Sequence, residues 1–393
     1  MVSKPLCVDA DGHVLEPRNT WIDYIDPAFR DRAIRIAIDD HGDEVLLIDG
    51  HPVEGMRNGL AGMGGINLDF VDALDRSGKL RYEDGCPPGG YDPAARLEVM
   101  DDEGIDIALL YPSLGICWEG FVTEPALARA YARAYNRYIV DFCSHDPVRL
   151  VPVAHISLID EVGAVEEVVR SRDAGCRAVY LSPDVASRAG RGLSDPAFDR
   201  FWSTVEDLDI PIGFHVVVRD QSSFQRPIIE RTGGQALFGF AFLAIDVMAA
   251  FTEMLASGVF EKHPRLRCTV LESGATWIAA WLDRLDHKFE VMRSITPTSM
   301  KPSEYFFRQC LVSADPDETV IAPIIEAVGA DYFVWASDYP HIDASFGVVG
   351  EIRSRLTSLS EEDQAKVLGL NAQRFYGLEV PMNVHANGGV GIR

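Results

Sequence analysis

Eight short apolar runs, each separated from the next by a segment with helical periodicity, constrain the fold of this chain more than any other feature. Several of the runs are almost continuously apolar, which is typical of strands that are covered on both faces. Eight strands that alternate with eight helices predict an α/β fold, the parallel (β/α)8 TIM barrel. The predicted strands span Leu6–Ala10, Ile105–Tyr111, Leu150–Ser157, Cys176–Ser182, Ile210–Val217, Leu266–Glu272, Cys310–Ala314 and Tyr332–Asp338.

The helical segments carry apolar residues at three- and four-residue spacing. They span Ala94–Glu103, Pro125–Cys143, Val162–Asp173, Pro196–Leu208, Phe238–Ser257, Thr276–Met292, Asp317–Val328 and Ser345–Leu356. A plain barrel needs about 250 residues, and this chain has 393, so the remainder forms insertions. We expect a single barrel domain over residues 1–378, followed by a loose tail over residues 379–393.

The largest insertion, about residues 14–92, follows the first strand. Its two strand-like runs, Ala33–Asp39 and Glu44–Asp49, flank a short glycine-containing turn and predict a hairpin. The glycine-rich stretch Gly55–Gly65 comes next. Segments that follow the strands of a barrel cover its catalytic face, so we expect a lid or a substrate-gripping region. A contact between two copies of the chain is the alternative.

The charge and the cysteine pattern narrow the possible partners. The formal net charge of −24 argues against nucleic acid and against an anionic membrane surface. No run approaches the ~20 apolar residues of a membrane span, and the first residues lack a signal-peptide pattern. The seven cysteines show no CxxC spacing, which predicts free thiols in a reducing compartment. We expect a cytoplasmic homodimer that binds a small molecule, with no nucleic acid or membrane partner.

Residues of metal-ligating type occur at the ends of several predicted strands. Asp11 and His13 follow the first strand at i, i+2 spacing, which points both side chains to one side of an extended backbone. His215, Glu272 and Asp338 lie at the ends of the fifth, sixth and eighth strands. Because barrel chemistry gathers at the carboxyl ends of the strands, these five residues predict one metal site. Mixed imidazole and carboxylate ligation suits zinc, manganese or iron rather than calcium.

Three further residues belong to the candidate site. Glu16 and His341 are additional ligand types close to His13 and Asp338, so two metal ions are conceivable. His155, at the end of the third strand, is a candidate catalytic acid. A single histidine at a strand end is more often a hydrogen-bonded core residue, and the prediction therefore depends on the whole set.

These motifs resemble the amidohydrolase-related family, which includes the aminocarboxymuconate-semialdehyde and resorcylate-type decarboxylases. The resemblance rests on Asp11-x-His13, on His215, on Trp335-Ala336-Ser337-Asp338-Tyr339-Pro340-His341 and on Lys262-His263-Pro264-Arg265-Leu266-Arg267. It implies that Asp11, His13, His215 and Asp338 bind a metal ion. In hydrolytic members the carboxylate at the position of Asp338 takes a proton from metal-bound water, and in decarboxylases it is chiefly a ligand.

The residue at position 272 departs from the decarboxylase pattern. Decarboxylase members typically carry a histidine at the end of strand six, used in acid–base work, whereas this chain has Glu272. A carboxylate replaces an imidazole near neutral pH only if its pKa is greatly raised, but it can also bind or bridge a second metal ion. The chain therefore also resembles the branch that contains the non-heme diiron monooxygenase of the platensimycin pathway.

The main functional prediction is an O₂-dependent monooxygenase with two iron ions, which hydroxylates a bulky carboxylated or CoA-linked small molecule and needs an electron donor. The alternative is a mononuclear zinc- or manganese-dependent decarboxylase or hydrolase of a small aromatic acid. In that alternative Arg57 or Arg219 supplies a counter-charge, Glu272 is a candidate proton donor and His155 is a candidate acid. A metal-free binding protein is a third class, and the complete ligand set argues against it.

Overall fold

The computed structural model describes residues 5–73, 75–217 and 241–380. Eight parallel strands form one sheet whose spatial order follows the chain, with a separate sheet of three short antiparallel strands. This arrangement confirms the predicted (β/α)8 TIM barrel. The strands are β1 (Val8–Val14), β2 (Arg35–Ile38), β3 (Glu44–Ile48), β4 (His51–Pro52), β5 (Ile107–Pro112), β6 (Leu150–His155), β7 (Ala178–Leu181), β8 (Ile212–Phe214), β9 (Cys268–Val270), β10 (Cys310–Ala314) and β11 (Phe333–Trp335).

The first strand is longer than predicted. Asp11 and His13 lie inside β1 rather than beyond its end, and the register with β5 shifts between Asp9 and Gly12. A bulge of this kind re-aims side chains at the rim of a barrel. The two residues still meet on one side, with the Nε2 atom of His13 3.5 Å from the Oδ1 atom of Asp11.

Side chains and a few backbone contacts close the barrel between β1 and the segment after β11. The N–H of Asp338 donates to the carbonyl of Asp11 (3.0 Å), and the N–H of His13 donates to the carbonyl of Tyr339 (2.7 Å). Deeper in the same seam, the Ser337 hydroxyl donates to Asp9 Oδ2 at 2.6 Å. The seam that closes the sheet therefore contains three of the predicted metal ligands.

Helices follow the strands as predicted, with ends that shift by a few residues. The α-helices span Thr20–Tyr24, Phe70–Ala73, Pro88–Tyr91, Pro93–Glu103, Pro125–Cys143, Glu161–Asp173, Asp199–Asp207, Ala244–Ala256, Val259–Lys262, Ile278–Met292, Pro302–Gln309, Ile321–Val328, Val348–Arg355, Glu361–Ala365 and Asn371–Tyr376, and a π-helical turn spans Lys366–Leu370. Short 3₁₀ turns span Pro27–Arg32, Glu54–Met56, Leu60–Met63, Tyr82–Gly85, Leu114–Cys117, Val185–Arg188, Pro196–Phe198, Arg293–Ile295 and Ala330–Tyr332. The helix Pro302–Gln309 and the helices after Ser360 are additional to the prediction.

The insertion after β1 contains the predicted hairpin. β2 pairs antiparallel with β3, and β4 adds a third strand to this small sheet. The buried Glu44 accepts a hydrogen bond from the Arg18 guanidinium at 2.8 Å, which ties the small sheet to the chain that leaves β1. The role of the insertion as a lid or as a contact between copies stays a prediction.

One part of the core lies between the barrel and its helices. A second part fills the barrel interior and includes aromatic residues. Tyr111 and Tyr180 are fully buried there, with ring centroids 6.4 Å apart. The seven cysteines are free thiols, six of them buried. Among the helices that the structure describes, none has both the length and the apolar character that crossing a bilayer requires.

Candidate metal centre

Two histidines and one aspartate meet at the top of the barrel interior. Asp11 and His13 come from β1, and His215 follows β8 directly. The Nε2 atoms of His13 and His215 are 3.0 Å apart, and the carboxylate of Asp11 is 3.5 and 3.6 Å from them. All three side chains are buried from solvent.

The hydrogen bonds of the two imidazoles fix which ring nitrogen carries the proton. His13 Nδ1 lies 2.9 Å from the carbonyl of Pro112, and His215 Nδ1 lies 2.8 Å from the carbonyl of Val216. Because a carbonyl only accepts, each Nδ1 donates, and each Nε2 of the neutral ring presents a lone pair. Burial lowers the pKa of His13 to about 3, which keeps that ring neutral.

Two lone pairs that face each other at 3.0 Å repel unless a cation lies between them. Donors in adjacent positions on one ion, each about 2.1 Å from it, are themselves about 3 Å apart. The observed separation of the two Nε2 atoms therefore fits a shared metal ion.

Asp338 and Glu272 bring two more carboxylates to the same point. Glu272 Oε2 is 2.8 Å from His215 Nε2, and Asp338 Oδ1 is 3.3 Å from His13 Nε2. Both residues have left-handed backbones, with φ of 44° at Glu272 and 54° at Asp338. Non-glycine residues in this conformation store strain of about 1–3 kcal/mol each and cluster at functional sites. The strain here aims two acidic side chains into the barrel mouth.

Several carboxylate oxygens of this group accept no hydrogen bond within the described part of the chain. They are both oxygens of Asp11, Oδ2 of Asp338 and Oε2 of Glu272. An unpaired buried polar atom costs about 1–3 kcal/mol, more when it is charged. Burial raises the pKa of Asp11 well above its usual value, and burial together with the nearby Asp338 does the same to Glu272. A bound divalent cation would remove both penalties, so the residues fit a metal ion.

Six residues contribute to the overlapping donor groups that could hold an ion, and we call them the ligand cluster: Asp11, His13, His215, Glu272, Asp338 and His341. His341 differs from the other two histidines because both of its ring nitrogens have partners. Its Nδ1 is 3.0 Å from Asp338 Oδ1 and its Nε2 is 2.8 Å from Ser113 Oγ. Although burial opposes this, the Asp338 carboxylate raises the pKa of His341 to about 9. His341 therefore acts in this structure as the ion-pair partner of Asp338 and not as a free ligand.

The structure does not bring Glu16 into the ligand cluster. Its two carboxylate oxygens accept hydrogen bonds from the backbone N–H groups of Leu114 (2.8 Å) and Gly115 (2.9 Å). These groups begin a 3₁₀ turn, where N–H donors lack partners within the helix. Glu16 thus anchors the loop after β5, and its predicted role as a ligand is replaced by a structural one.

His155 also lies outside the ligand cluster. Its Nε2 is 2.5 Å from the Oε1 atom of Glu119, and both side chains are buried. Its ring packs against Trp118 and Tyr180, at centroid distances of 5.0 and 4.7 Å. Glu119 was not predicted from the sequence, because it lies in a loop and belongs to no motif.

The two predicted substrate arginines have different outcomes. The Arg57 guanidinium binds Asp39, Asp43 and Glu54 in the insertion, so its charge is already neutralised there. Arg219 lies outside the described residues, as do the first residues of the predicted helix Phe238–Ser257.

A cavity of about 110 Å³ opens beside the ligand cluster. Asp11, Glu272 and Asp338 line it, and so do Asp315 and Asp343. Asp315 and Asp343 were not predicted from the sequence. Asp315 follows β10 directly, and this strand-end position was the signal that could have identified it.

Comparison with known proteins agrees with this geometry. The sequence model of the amidohydrolase family matches residues 8–378. A gamma-resorcylate decarboxylase from Rhizobium sp. (strain MTP-10005) is 27% identical over 299 residues, which cover 72% of this chain and 86% of that protein.

Solved structures share the fold. An amidohydrolase from Mycobacterium avium subsp. paratuberculosis K-10 superposes with a TM-score of 0.77 at 20% identity, covering 95% of this chain and 100% of that one. A 5-carboxyvanillate decarboxylase from Novosphingobium aromaticivorans DSM 12444, complexed with manganese and 4-hydroxy-3-methoxy-5-nitrobenzoic acid, superposes with a TM-score of 0.67 at 22% identity, covering 95% and 96%. Given the family match over nearly the whole chain and the donor set in the barrel mouth, this chain belongs to the amidohydrolase family and is a metal-dependent enzyme.

Proposed function

We propose that the protein is a divalent-metal-dependent carboxy-lyase that removes CO₂ from a small aromatic carboxylic acid. The observation that carries the proposal is the single buried donor set of Asp11, His13, His215 and Asp338, with the carboxyl of Glu272 beside it. The relatives named above, which decarboxylate aromatic acids, support this alternative better than the main prediction of a monooxygenase. The comparisons give no support to an iron-dependent oxygenase.

The donor groups favour one ion over the predicted two irons. The three groups that could hold an ion overlap, because His13, His215 and Asp338 each belong to two of them. Paired metal ions are about 3.5–4 Å apart, and each ion needs ligands of its own in addition to any bridging carboxylate. Manganese or zinc suits the mixed nitrogen and oxygen donors.

The described cavity suits a small substrate. Its volume of about 110 Å³ is of the same order as the engineered cavity of about 150 Å³ that holds benzene in another protein. A single aromatic ring matches that size better than a CoA ester does. A bound divalent cation would supply Lewis-acid chemistry, holding the substrate carboxylate and a neighbouring oxygen.

The residues of the chain then have defined tasks in the reaction. Decarboxylation replaces the ring's C–COO⁻ bond with a C–H bond, so a proton must reach the ring carbon before the electrons of the breaking C–C bond restore the ring and CO₂ leaves. Glu272 is the carboxyl in the ligand cluster placed to deliver this proton, and water returns the proton to it afterwards. Asp338, fixed by His341, holds its carboxylate beside His13 at the site.

The test measures CO₂ release from 2,6-dihydroxybenzoate and 5-carboxyvanillate with protein loaded with Mn²⁺ or Zn²⁺. We expect release that requires the metal ion, that proceeds without O₂ and that places one deuterium on the ring in D₂O. Glu272→Gln should lower the rate by about 10²–10⁴-fold while the metal content is kept. Glu206→Gln is the matched control, because the cavity lining does not include Glu206 and its Oε1 accepts a hydrogen bond from the N–H of Arg265 at 2.7 Å; this variant should stay near the wild-type rate.

Contrary outcomes are equally specific. Two irons per chain with O₂-dependent turnover would restore the monooxygenase prediction. Metal-dependent hydrolysis without CO₂ release would place the protein with the hydrolytic members of the family.

A further inference from the structure

The end of β5 contacts two stacked histidines. The carbonyl of Pro112 accepts a hydrogen bond from His13 Nδ1 at 2.9 Å, and the next residue, Ser113, places its Oγ 2.8 Å from His341 Nε2. The two imidazole rings lie against each other, with centroids 4.0 Å apart and planes 31° apart. Pro112 thus contacts the metal ligand His13, and Ser113 contacts His341, the partner of the ligand Asp338.

The contacts of Ser113 continue through His341 to Asp338. His341 Nδ1 is 3.0 Å from Asp338 Oδ1, and the same oxygen is 3.3 Å from His13 Nε2. The other oxygen, Oδ2, has no partner among the described residues. This arrangement holds Oδ1 of Asp338 between His341 and the metal-facing nitrogen of His13, so the position of His341 sets the orientation of the carboxylate.

Because these contacts are buried, the loss of one of them should affect the others. Ser113 is fully buried, and His341 is only 7% exposed, so water does not readily replace a lost partner. An unpaired ring nitrogen of His341 would favour rotation of the imidazole, and Asp338 would lose its fixed neighbour. Asp338 also has a strained backbone, with φ of 54°, which the surrounding contacts must maintain.

We propose that Ser113 is a positioning residue of the metal centre, acting through His341 to hold Asp338 in the orientation that binds the ion. The inference rests on the proposed metal centre, but it does not depend on which reaction the centre performs. Outer partners that orient metal ligands typically change metal affinity 10–100-fold when they are removed.

The test measures the Mn²⁺ dissociation constant of the full chain by competition with a chelator. Ser113→Ala should weaken Mn²⁺ binding by about 10–100-fold. Ser157→Ala is the matched control, because Ser157 is also a buried serine of the barrel mouth and bonds a carboxylate, Oε2 of Glu119, at 3.5 Å. Its Mn²⁺ affinity should stay within about twofold of wild type.

A double-mutant cycle tests whether the effect passes through His341. In the His341→Gln background, the additional Ser113→Ala change should alter the Mn²⁺ affinity less than twofold. If the double variant lost Mn²⁺ affinity by the product of the two single-variant fold-changes, the proposal would be overturned. A folded Ser113→Ala protein with wild-type Mn²⁺ affinity would also overturn it. Thermal unfolding without metal checks the fold, and Ser113→Cys, nearly the same size, replaces the alanine variant if that variant does not fold. Failure of the wild-type protein to bind Mn²⁺ would instead overturn the metal centre itself.

Discussion

Two histidine–carboxylate clusters lie in the same barrel mouth, and their chemistry differs. In the ligand cluster, His13 and His215 bond carbonyl oxygens through Nδ1, and their Nε2 atoms face each other at 3.0 Å among several carboxylates. On the other side, His155 Nε2 meets Glu119 Oε1 at 2.5 Å. All of these side chains are buried to a similar degree.

The difference shows that the partner of a ring nitrogen decides the role of a buried histidine. A carbonyl partner takes the proton of Nδ1 and leaves Nε2 as a metal ligand. A carboxylate partner occupies the Nε2 of His155 within the protein, so that nitrogen does not face an ion, while the buried Nδ1 has no hydrogen-bond partner among the described residues. The following predictions test this contrast, from the largest expected effect to the smallest.

Loss of a metal-facing histidine should have the largest effect. We expect His215→Asn to lower Mn²⁺ affinity by more than ~100-fold, the upper range for removing even an outer partner of a ligand. The matched variant His155→Asn should keep the affinity within about twofold, because His155 lies outside the ligand cluster. The Mn²⁺ content per chain after dialysis is measured for both variants. A His155→Asn protein without bound Mn²⁺ would contradict the contrast between the two histidine clusters.

The buried carboxyl of Glu16, which accepts hydrogen bonds from backbone N–H groups, should make the stability of the protein depend on pH. Burial raises the pKa of Glu16 from 4.5 to about 7. The folded state therefore favours the protonated form, and its contribution to stability is full below pH 4.5 and is lost as pH rises through about 7. The free energy of unfolding should fall by ~3 kcal/mol across this window.

The measurement is chemical denaturation from pH 4.5 to 8 in wild type and in Glu16→Gln, whose side chain does not titrate. The difference between the two pH profiles isolates Glu16 from the other carboxyls. Parallel profiles would contradict the prediction.

Breaking the His155–Glu119 pair should lower the stability of the protein and leave metal binding intact. Glu119→Gln should lower the free energy of unfolding by about 1.5–3 kcal/mol, the range for hydrogen bonds to charged groups.

Asp11→Asn should show the reverse pattern. It should abolish Mn²⁺ binding without lowering the stability of the metal-free protein, since both oxygens of Asp11 lack hydrogen-bond partners in the described chain. Denaturant melts without metal compare the two, and a large loss of stability in Asp11→Asn would contradict the contrast.

The seam between β1 and β11 should show the smallest effect. Ser337→Ala removes the hydroxyl that donates to the buried Asp9 at 2.6 Å, while the Ser337 N–H still donates to the same side chain at 2.9 Å. We expect a loss of about 1 kcal/mol in the free energy of unfolding. The Mn²⁺ affinity should change little, and a large loss of affinity would show that the seam also positions the ligands.

The barrel and most of the ligand cluster were predictable from the sequence because they depend on local pattern. Eight apolar runs that alternate with helical periodicity leave few other folds. The carboxyl ends of those strands meet at one end of the barrel, and the structure brings Asp11, His13, His215, Glu272 and Asp338 together, while His155 pairs with Glu119 outside the ligand cluster. Glu16 is close to His13 in the chain, yet its side chain binds the loop after β5 instead of the ligand cluster. Closeness in sequence does not determine where a side chain points once the strand has ended.

The sequence by itself determined which residues could reach the mouth of the barrel, and only the tertiary structure decided what each one does there. The partners that set these roles come from distant positions: Ser113 is 228 residues from His341, and Glu119 is 36 residues from His155. No periodicity or short motif records such contacts, since they arise when loops from different strands pack over one closed sheet. The protonation of an imidazole and the orientation of a carboxylate follow from those contacts, and with them the difference between a metal ligand and an internal ion pair.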